Sequence, residues 1–215
     1  MHIQTSPSRR FQPHIVATSG APPSELHAAA LSYAMGEPIY VEGDPAPSLY
    51  IVVTGAVRTV RHSIDGRRQI GGFYYPGDLF GLDVGEDHAY SAEAMCPTEV
   101  TVRRRRGAPG DGADHEAMGA ALGELGRAQH HLAMLGRRSA GEKVASFLVD
   151  MARQGGTDVA NLPMSRQDMA DYLGLAIETV SRVLGQFQEQ GLVAFASCRD
   201  FHIVKGSALN RLAAS

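Results

Sequence analysis

Cysteine is scarce in this chain, and the patterns that bind metal ions are missing. The two cysteines, Cys96 and Cys198, lie far apart and form no CxxC pair. No Cys/His spacing typical of zinc occurs, so we expect neither a disulfide framework nor a structural metal. The adjacent His130 and His131 would point to different sides of a helix, and no His-x-His pair occurs. A cupin-like metalloenzyme is therefore a weak alternative, and we expect no enzymatic activity.

Long apolar runs are also lacking. Even the longest, such as Leu49–Val53, are far shorter than the ~20 residues that cross a bilayer. The segment Met1–Gln12 carries Arg9 and Arg10 without a following apolar stretch, so it does not have the pattern of a secretory signal. We expect a cytoplasmic protein with no membrane partner.

An excess of positive charge, common in proteins that bind nucleic acids, is absent too. The formal net charge is −3, with 20 basic and 23 acidic side chains. Residues 1–136 contain 11 basic and 15 acidic side chains, whereas residues 137–215 contain nine and eight. Any contact with DNA must therefore depend on the placement of a few arginines rather than on a strong overall field.

The first half of the chain has the texture of a β domain, with short apolar runs separated by glycine turns. Asp65-Gly66 is a strong hairpin signal because both residues tolerate positive φ. The near-regular spacing of the short strands predicts a small β-barrel or roll. We assign residues 34–110 to this roll and residues 1–33 to an N-terminal arm, with a short helix at Ser24–Tyr33.

A helix with a heptad pattern is predicted at residues 111–136, between the roll and the C-terminal part of the chain. Its seam positions alternate in steps of four and three, as in a coiled coil. Such a stripe packs either on its own domain or against a second copy of the chain. We favour a homodimer, because a connector between two domains needs a partner for its stripe. The predicted seam residues are Met118, Leu122, Leu125, Gln129 and Leu132.

Residues 137–215 contain the pattern of a helix-turn-helix. Ser165 is followed three positions later by Asp168, which resembles a capping box with Asp in place of the usual Glu or Gln. Gly174 separates two helical segments and can adopt the left-handed conformation that a tight turn needs. Further on, two short strands joined by a turn at Ser197–Asp200 predict a wing hairpin.

The second helix of this motif exposes one polar face, the reading face, opposite its apolar positions. Its residues are Ile177, Glu178, Ser181 and Arg182. Glu178 and Arg182 are i,i+4 neighbours, so one interpretation is a surface salt bridge of little value. In a major groove, Arg182 can instead donate two hydrogen bonds to a guanine, and Glu178 can accept one from a cytosine. Each such contact contributes ~1–3 kcal/mol of discrimination between bases.

The segment Ile177–Arg182 resembles the recognition helix of the Crp/Fnr superfamily of bacterial regulators, especially its FixK-like and Fnr-like branches. The resemblance keeps its order over residues 35–205. It implies an α+β fold with an N-terminal β-roll (a jelly roll of the cyclic-nucleotide-binding kind), a long dimerisation helix and a C-terminal winged helix-turn-helix. Further matching segments are Gly55–Arg58, Asp65–Gln69, Pro76–Gly81 and Leu135–Leu148.

By this resemblance, the protein is a sequence-specific transcription regulator, most often an activator in this branch, that binds DNA as a homodimer and contacts RNA polymerase. The implied target is a palindromic site with TTGAT-like half-sites, near genes of low-oxygen, nitrogen-oxide or nitrogen-fixation metabolism. Ala176 stands where the family usually has a Ser or Thr N-cap, which costs ~1 kcal/mol. The resemblance implies base reading by Ile177, Glu178, Ser181 and Arg182, and phosphate contacts by Ser165, Arg166 and Thr179.

The roll of this superfamily can hold a cyclic nucleotide, an iron–sulfur cluster or a haem, and each needs particular residues. Where a cyclic-nucleotide pocket has an arginine for the phosphate, this chain has Tyr90, a single neutral donor. A cluster of the Fnr kind needs four thiolates, mostly near the N-terminus, and residues 1–95 contain none. Haem would need an axial ligand, for which His62, His88 and Met95 are candidates. We expect no cofactor, with a regulator gated by a cyclic nucleotide or haem as an alternative.

Two other questions are left open by the sequence. A cyclic-nucleotide-binding adaptor with no DNA role is a further alternative, although it would have no use for an exposed Glu178 and Arg182. Cys198 falls in the predicted wing turn beside Arg199. It is either an ordinary exposed cysteine or a redox-active thiol, whose oxidation would add negative charge beside phosphates and weaken DNA binding.

Overall fold

The computed structural model describes residues 30–104, 113–154, 159–161, 164–196 and 200–214. Within these ranges the chain forms a β domain, then a long helix, then a mixed helical and β domain. This arrangement confirms the predicted α+β class with a β-roll and a C-terminal helix-turn-helix. In the described ranges, no helix is both long and apolar enough to span a membrane.

The β-roll is built from eight short strands. They are β1 (Ala30–Tyr33), β2 (Pro38–Tyr40), β3 (Ser48–Thr54), β4 (Val57–His62), β5 (Arg68–Tyr74), β6 (Leu79–Phe80), β7 (Ser91–Ala94) and β8 (Thr98–Arg104). Two four-stranded antiparallel sheets result, with the orders β1-β8-β3-β6 and β2-β7-β4-β5. Gly66 has φ 79° in the turn between β4 and β5, as the Asp65-Gly66 signal predicts.

The roll begins earlier in the chain than the sequence pattern predicts. Ala30–Tyr33 is an antiparallel strand paired with β8, so the predicted arm over residues 1–33 and its short helix are wrong at their C-terminal end. The reason is long-range pairing, which overrides local propensity: β8 supplies backbone hydrogen-bond partners, and Tyr33 becomes buried. The earlier residues of the arm lie outside the described ranges.

Aromatic rings fill the inside of the roll. Tyr40, Tyr50 and Phe80 pack on one another with ring centroids 5.3 to 6.2 Å apart. His88 is 2% exposed and stacks on Tyr40 at 3.6 Å. Its Nδ1 lies 2.7 Å from Oδ2 of Asp83. His88, one of the candidate haem ligands, is thus held by a carboxylate at one nitrogen and by an aromatic ring on its face.

A single long helix, α1 (Ala113–Leu135), connects the roll to the C-terminal domain. It lies within the segment 111–136 that the heptad pattern predicts. α1 ends at Leu135 and is followed by Gly136. The next helix is α2 (Ala140–Gln154). α2 buries Val144, Phe147 and Leu148, and these apolar residues form the core of the C-terminal domain.

The C-terminal domain is a winged helix-turn-helix. Its remaining elements are β9 (Val159–Asn161), α3 (Arg166–Leu173), α4 (Ile177–Glu189), β10 (Val193–Phe195), β11 (Asp200–Ile203) and α5 (Gly206–Ala214). β10 and β11 form the wing hairpin, and β9 extends it to a three-stranded sheet. α5 packs on α2 and buries Leu209.

One apolar cluster joins the roll to the C-terminal domain. The ring of Phe73 in β5 lies 5.1 Å from that of Tyr172 in α3 and 6.2 Å from that of Phe147 in α2. Ile70 of the roll and Met134 of α1 belong to the same cluster. The two domains are therefore packed together, with α3 lying against β5 of the roll.

Candidate nucleic-acid interface

The first helix of the motif, α3, begins at a capping box, as predicted. Ser165 has extended backbone angles, φ −79° and ψ 164°, and its Oγ accepts a hydrogen bond from the backbone N–H of Asp168. In return, Oδ2 of Asp168 accepts from the backbone N–H of Ser165 at 3.0 Å and from its hydroxyl at 2.8 Å. At the other end, Gly174 has φ 62° and ends the helix in the left-handed conformation. Both local signals of the sequence are confirmed.

The carboxyl group of Asp168 is buried yet ionised. Burial raises its pKa, because the charged form loses solvation, but hydrogen bonds from Ser165 and the charges of Arg58 and Arg68 act more strongly in the opposite direction. The pKa of Asp168 therefore lies below its usual range. A negative charge inside the domain contact is thus matched by two arginines of the roll.

The second helix, α4, has one buried face and one face turned to solvent. Val180, Val183, Leu184 and Phe187 are buried. In the described part of the chain, no ion pair joins Glu178 to Arg182. Ala176 is the N-cap residue of α4, and its side chain cannot accept a hydrogen bond. The first backbone N–H groups of α4 are therefore not capped by a side chain. On the reading face, Glu178 and Arg182 are exposed, while Ile177 and Ser181 are half-buried.

The residues predicted to contact phosphates lie at two helix starts. Ser165 and Arg166 are exposed at the beginning of α3, and Thr179 is half-buried in the first turn of α4. Backbone N–H groups at helix N-termini and an exposed guanidinium are groups that bind phosphate oxygens. The exposed guanidinium of Arg166 and the position of Thr179 are compatible with the predicted roles. The hydroxyl of Ser165 already donates to Oδ2 of Asp168, so it would have to exchange that partner for a phosphate oxygen.

The seam residues of α1 are uncovered in the single chain. Met118 is 61% exposed, Leu122 60%, Leu125 53% and Leu132 67%, and Gln129 is exposed as well. A row of large apolar side chains in water indicates a surface that another molecule covers. Cys198, the candidate redox residue, lies outside the described residues.

Sequence reasoning missed an ion network, which we define as Arg58, Arg68, Glu93, Asp168 and Asp171. Nη1 of Arg58 donates to Oδ1 of Asp168 at 2.9 Å, and Nη2 of Arg68 donates to the same oxygen at 2.6 Å. Nε of Arg68 also donates to Oδ2 of Asp171 at 2.7 Å. The network links β4 and β5 of the roll to α3 of the helix-turn-helix. No local pattern reveals its contacts between the domains, because the arginines and aspartates that form them are 100 to 110 positions apart.

One side chain of the roll that could contact a cyclic nucleotide is already engaged within the protein. The carboxylate of Asp83, which stands near the position of the ribose-binding carboxylate in such pockets, already contacts His88 and accepts a hydrogen bond from the N–H of Ala89. Within the described ranges, no group of three or more His, Cys, Asp or Glu residues could hold a metal ion.

Two family models match the chain. The Crp-like helix-turn-helix domain matches residues 142–212, and the cyclic nucleotide-binding domain matches residues 30–106. The first match covers α3 and α4 with the wing, and the second covers the strands of the roll.

Individual proteins are similar over both domains. The nitrogen fixation regulation protein FixK of Rhizobium meliloti is 45% identical over 84% of this chain and 85% of that protein. FixK of Azorhizobium caulinodans is 42% identical over 92% of this chain and 86% of that protein. Among solved structures, FixK2 from Bradyrhizobium japonicum has a TM-score of 0.82 at 41% identity, covering 88% of this chain and 99% of that chain.

Proposed function

Since the chain belongs to the Crp/Fnr family of DNA-binding transcription regulators, we propose that it activates transcription as a homodimer bound to palindromic sites with TTGAT-like half-sites. The observation that carries this proposal is the reading face of α4. Glu178 and Arg182 are exposed there, while the opposite face of the same helix is buried. An adaptor without a DNA role would have no use for this pair.

In the proposed complex, the two helices have different tasks. Ile177, Glu178, Ser181 and Arg182 read base edges in the major groove, where bidentate contacts distinguish all four base pairs. The start of α3 and Thr179 hold the phosphate backbone, which fixes register but carries no sequence information. The phosphate-binding side chains at the start of α3 are Ser165 and Arg166.

The seam on α1 supports the homodimer. Four of its five residues are large, exposed apolar side chains, and Gln129 interrupts their row. A second copy of α1 would bury this row as a two-stranded coiled coil. A two-fold symmetric dimer then places one reading face in each of two half-sites about one helical turn apart. The palindromic site is the DNA counterpart of that symmetry.

We also propose that the protein binds DNA without a cofactor, in the cytoplasm, and contacts RNA polymerase there. Tyr90 in place of an arginine, and Asp83 bound to His88, support the absence of a cyclic nucleotide. The proposed targets are genes of nitrogen fixation or of low-oxygen and nitrogen-oxide metabolism, because the similar proteins FixK are nitrogen fixation regulators by name.

A gel shift with purified, effector-free protein tests the proposal. We expect a complex with a TTGAT-N4-ATCAA duplex and much weaker binding to a duplex in which both half-sites are scrambled. If binding appears only after a cyclic nucleotide or haem is added, the proposal that the protein binds DNA without a cofactor is wrong. Equal binding to both duplexes would overturn the operator assignment.

Arg166→Ala is expected to weaken binding to every DNA sequence alike. A lost phosphate contact reduces the slope of log K against log salt by about one per protomer, since each contact releases about 0.9 counterion. Titrations of operator and scrambled duplexes over a range of salt concentrations measure this slope. Gln188→Ala, an exposed and uncharged residue near the end of α4, should keep the wild-type slope. A loss confined to the operator would contradict the phosphate role of Arg166.

A further inference from the structure

Arg58 of the ion network is held in place by a carboxylate of the roll as well as by α3. Nε and Nη2 of Arg58 both donate to Oε2 of Glu93 in β7, at 3.0 and 2.7 Å. Arg58 and Glu93 are directly opposite each other in the pairing of β4 with β7, and their side chains are 19% and 24% exposed. The guanidinium that contacts Asp168 is therefore fixed by its own sheet.

The other end of α3 is tied to the long helix α1. The ring of His131 stacks on that of Tyr172 with centroids 3.8 Å apart and planes 4° from parallel. Nε2–H of His131 donates to the backbone carbonyl of Tyr172 at 2.7 Å, since a carbonyl can only accept. α3 has eight residues. It is thus held by the roll near its first turn and by α1 near its last, which defines its direction.

These contacts fix the orientation of α3 relative to the roll and α1 more than they add to the free energy of unfolding. In a buried ion pair, the cost of desolvation offsets most of the attraction, while the loss of one partner leaves an uncompensated charge. Asp168 is 2% exposed and Asp171 13%, so a displaced α3 would leave two carboxylates without their guanidinium partners. The covalent link between α1 and α2 is short and contains Gly136, and it resists rotation little.

We propose that Arg58 and Arg68 are positioning residues that set the spacing between half-sites that the dimer accepts. This inference rests on the proposed function, a homodimer on a two-fold symmetric site. α1 carries the seam, and α4 packs on α3, so the orientation of α3 relative to α1 decides how far apart the two reading faces lie. The network touches α3 but leaves Arg166, Glu178 and Arg182 exposed. The side chains proposed to contact DNA therefore stay accessible while the orientation of α3 is fixed.

Spacing is a sensitive readout of such an orientation. Each base pair added between half-sites moves them about 3.4 Å apart and rotates one against the other by about 34°. A dimer with rigidly held C-terminal domains therefore engages both half-sites at one spacer only. A dimer whose domains rotate freely accepts several spacers, but it binds the preferred one less tightly.

The experiment measures Kd for full-length wild type, Arg58→Ala and Arg68→Ala. The duplexes carry TTGAT and ATCAA separated by the four-base-pair spacer, by shorter spacers and by longer ones, and one duplex carries a single half-site. Engagement of both half-sites contributes about 10²–10⁴ in affinity when the geometry permits it. In both variants we expect the ratio of Kd between the second-best and best spacers to fall roughly tenfold, while Kd for the single half-site stays unchanged.

Arg61→Ala is the matched control. Arg61 lies on β4, as Arg58 does, but its partner Glu42 belongs to the roll and not to α3. It should keep the wild-type spacer profile. Arg68→Ala combined with Asp171→Ala should give the same profile as Arg68→Ala alone, since the two side chains form one contact. Arg58→Lys keeps the charge but not the two-armed contact, and it is expected to broaden the profile even if Arg58→Ala unfolds.

Two results would overturn the proposal in distinguishable ways. If folded Arg58 and Arg68 variants keep the wild-type preference for one spacer, the positioning role is refuted and the proposed function stands. If wild type binds the single half-site as tightly as the paired site, the homodimeric operator complex is refuted, and the inference falls with it.

Discussion

Leu125→Glu is expected to convert the proposed homodimer into a monomer and to weaken binding to the paired operator by about 10²–10⁴-fold. Leu125 lies in the middle of the seam on α1 and is 53% exposed in the single chain. In a two-fold symmetric dimer, a residue on the axis faces its own copy. The substitution would therefore bring two carboxylates together in an apolar seam, where each charge loses solvation and repels the other.

Sedimentation measures the change in mass, and a titration of the operator measures the change in affinity. Binding to a duplex with a single half-site should change little, because one reading face suffices there. Met35→Glu is the matched control, since Met35 is an apolar residue on the roll with a similar exposure of 64%. A Leu125→Glu protein that remains dimeric would contradict the seam, and a monomer with full operator affinity would contradict the paired mode of binding.

The local parts of the helix-turn-helix could be predicted from the sequence because their causes are local. The capping box needs only Ser165 and Asp168, three positions apart, and the turn needs only a residue such as Gly174 that tolerates positive φ. The buried stripe of α4 follows from its helical period in the same way. Together these signals indicate where α3 and α4 begin and which side of α4 is exposed.

The contacts between the domains could not be predicted, because they join residues that are distant in the chain. Arg58 and Asp168 are 110 positions apart, and nothing near either residue indicates the other. The same applies to the strand Ala30–Tyr33, which forms because β8 offers it a free edge. Asp168 was predicted as a cap, and it also serves as the acceptor of two arginines, a second role that only the folded chain reveals.

Arg182→Ala is expected to lower operator affinity by about 1–3 kcal/mol per half-site and to abolish the preference at one base pair of each half-site. Arg182 is exposed on α4, and the side chain is not held by an ion pair with Glu178. Its guanidinium is therefore free of that pair when it meets DNA. A guanidinium presents two parallel donors to O6 and N7 of guanine, and alanine presents none.

Measurements on base variants of the operator distinguish this role from a general loss of affinity. Kd is measured for wild type and Arg182→Ala on a set of operators in which each half-site position is changed in turn, symmetrically in both halves. The wild type should lose affinity at every position that it reads. The variant should become indifferent at one position and keep the wild-type losses at the others. Gln186→Ala, an exposed substitution one turn further along α4, should leave the pattern intact.

A comparison with Arg166→Ala tests whether the two arginines have different roles, one in base contact and the other in phosphate contact. A base contact changes the pattern of preference, whereas a phosphate contact changes the overall affinity and its salt dependence. Both side chains are exposed arginines of the same motif, so charge and exposure alone do not explain a difference between the two variants. If Arg182→Ala and Arg166→Ala behaved alike across all base variants, α4 would not be the helix that reads the sequence.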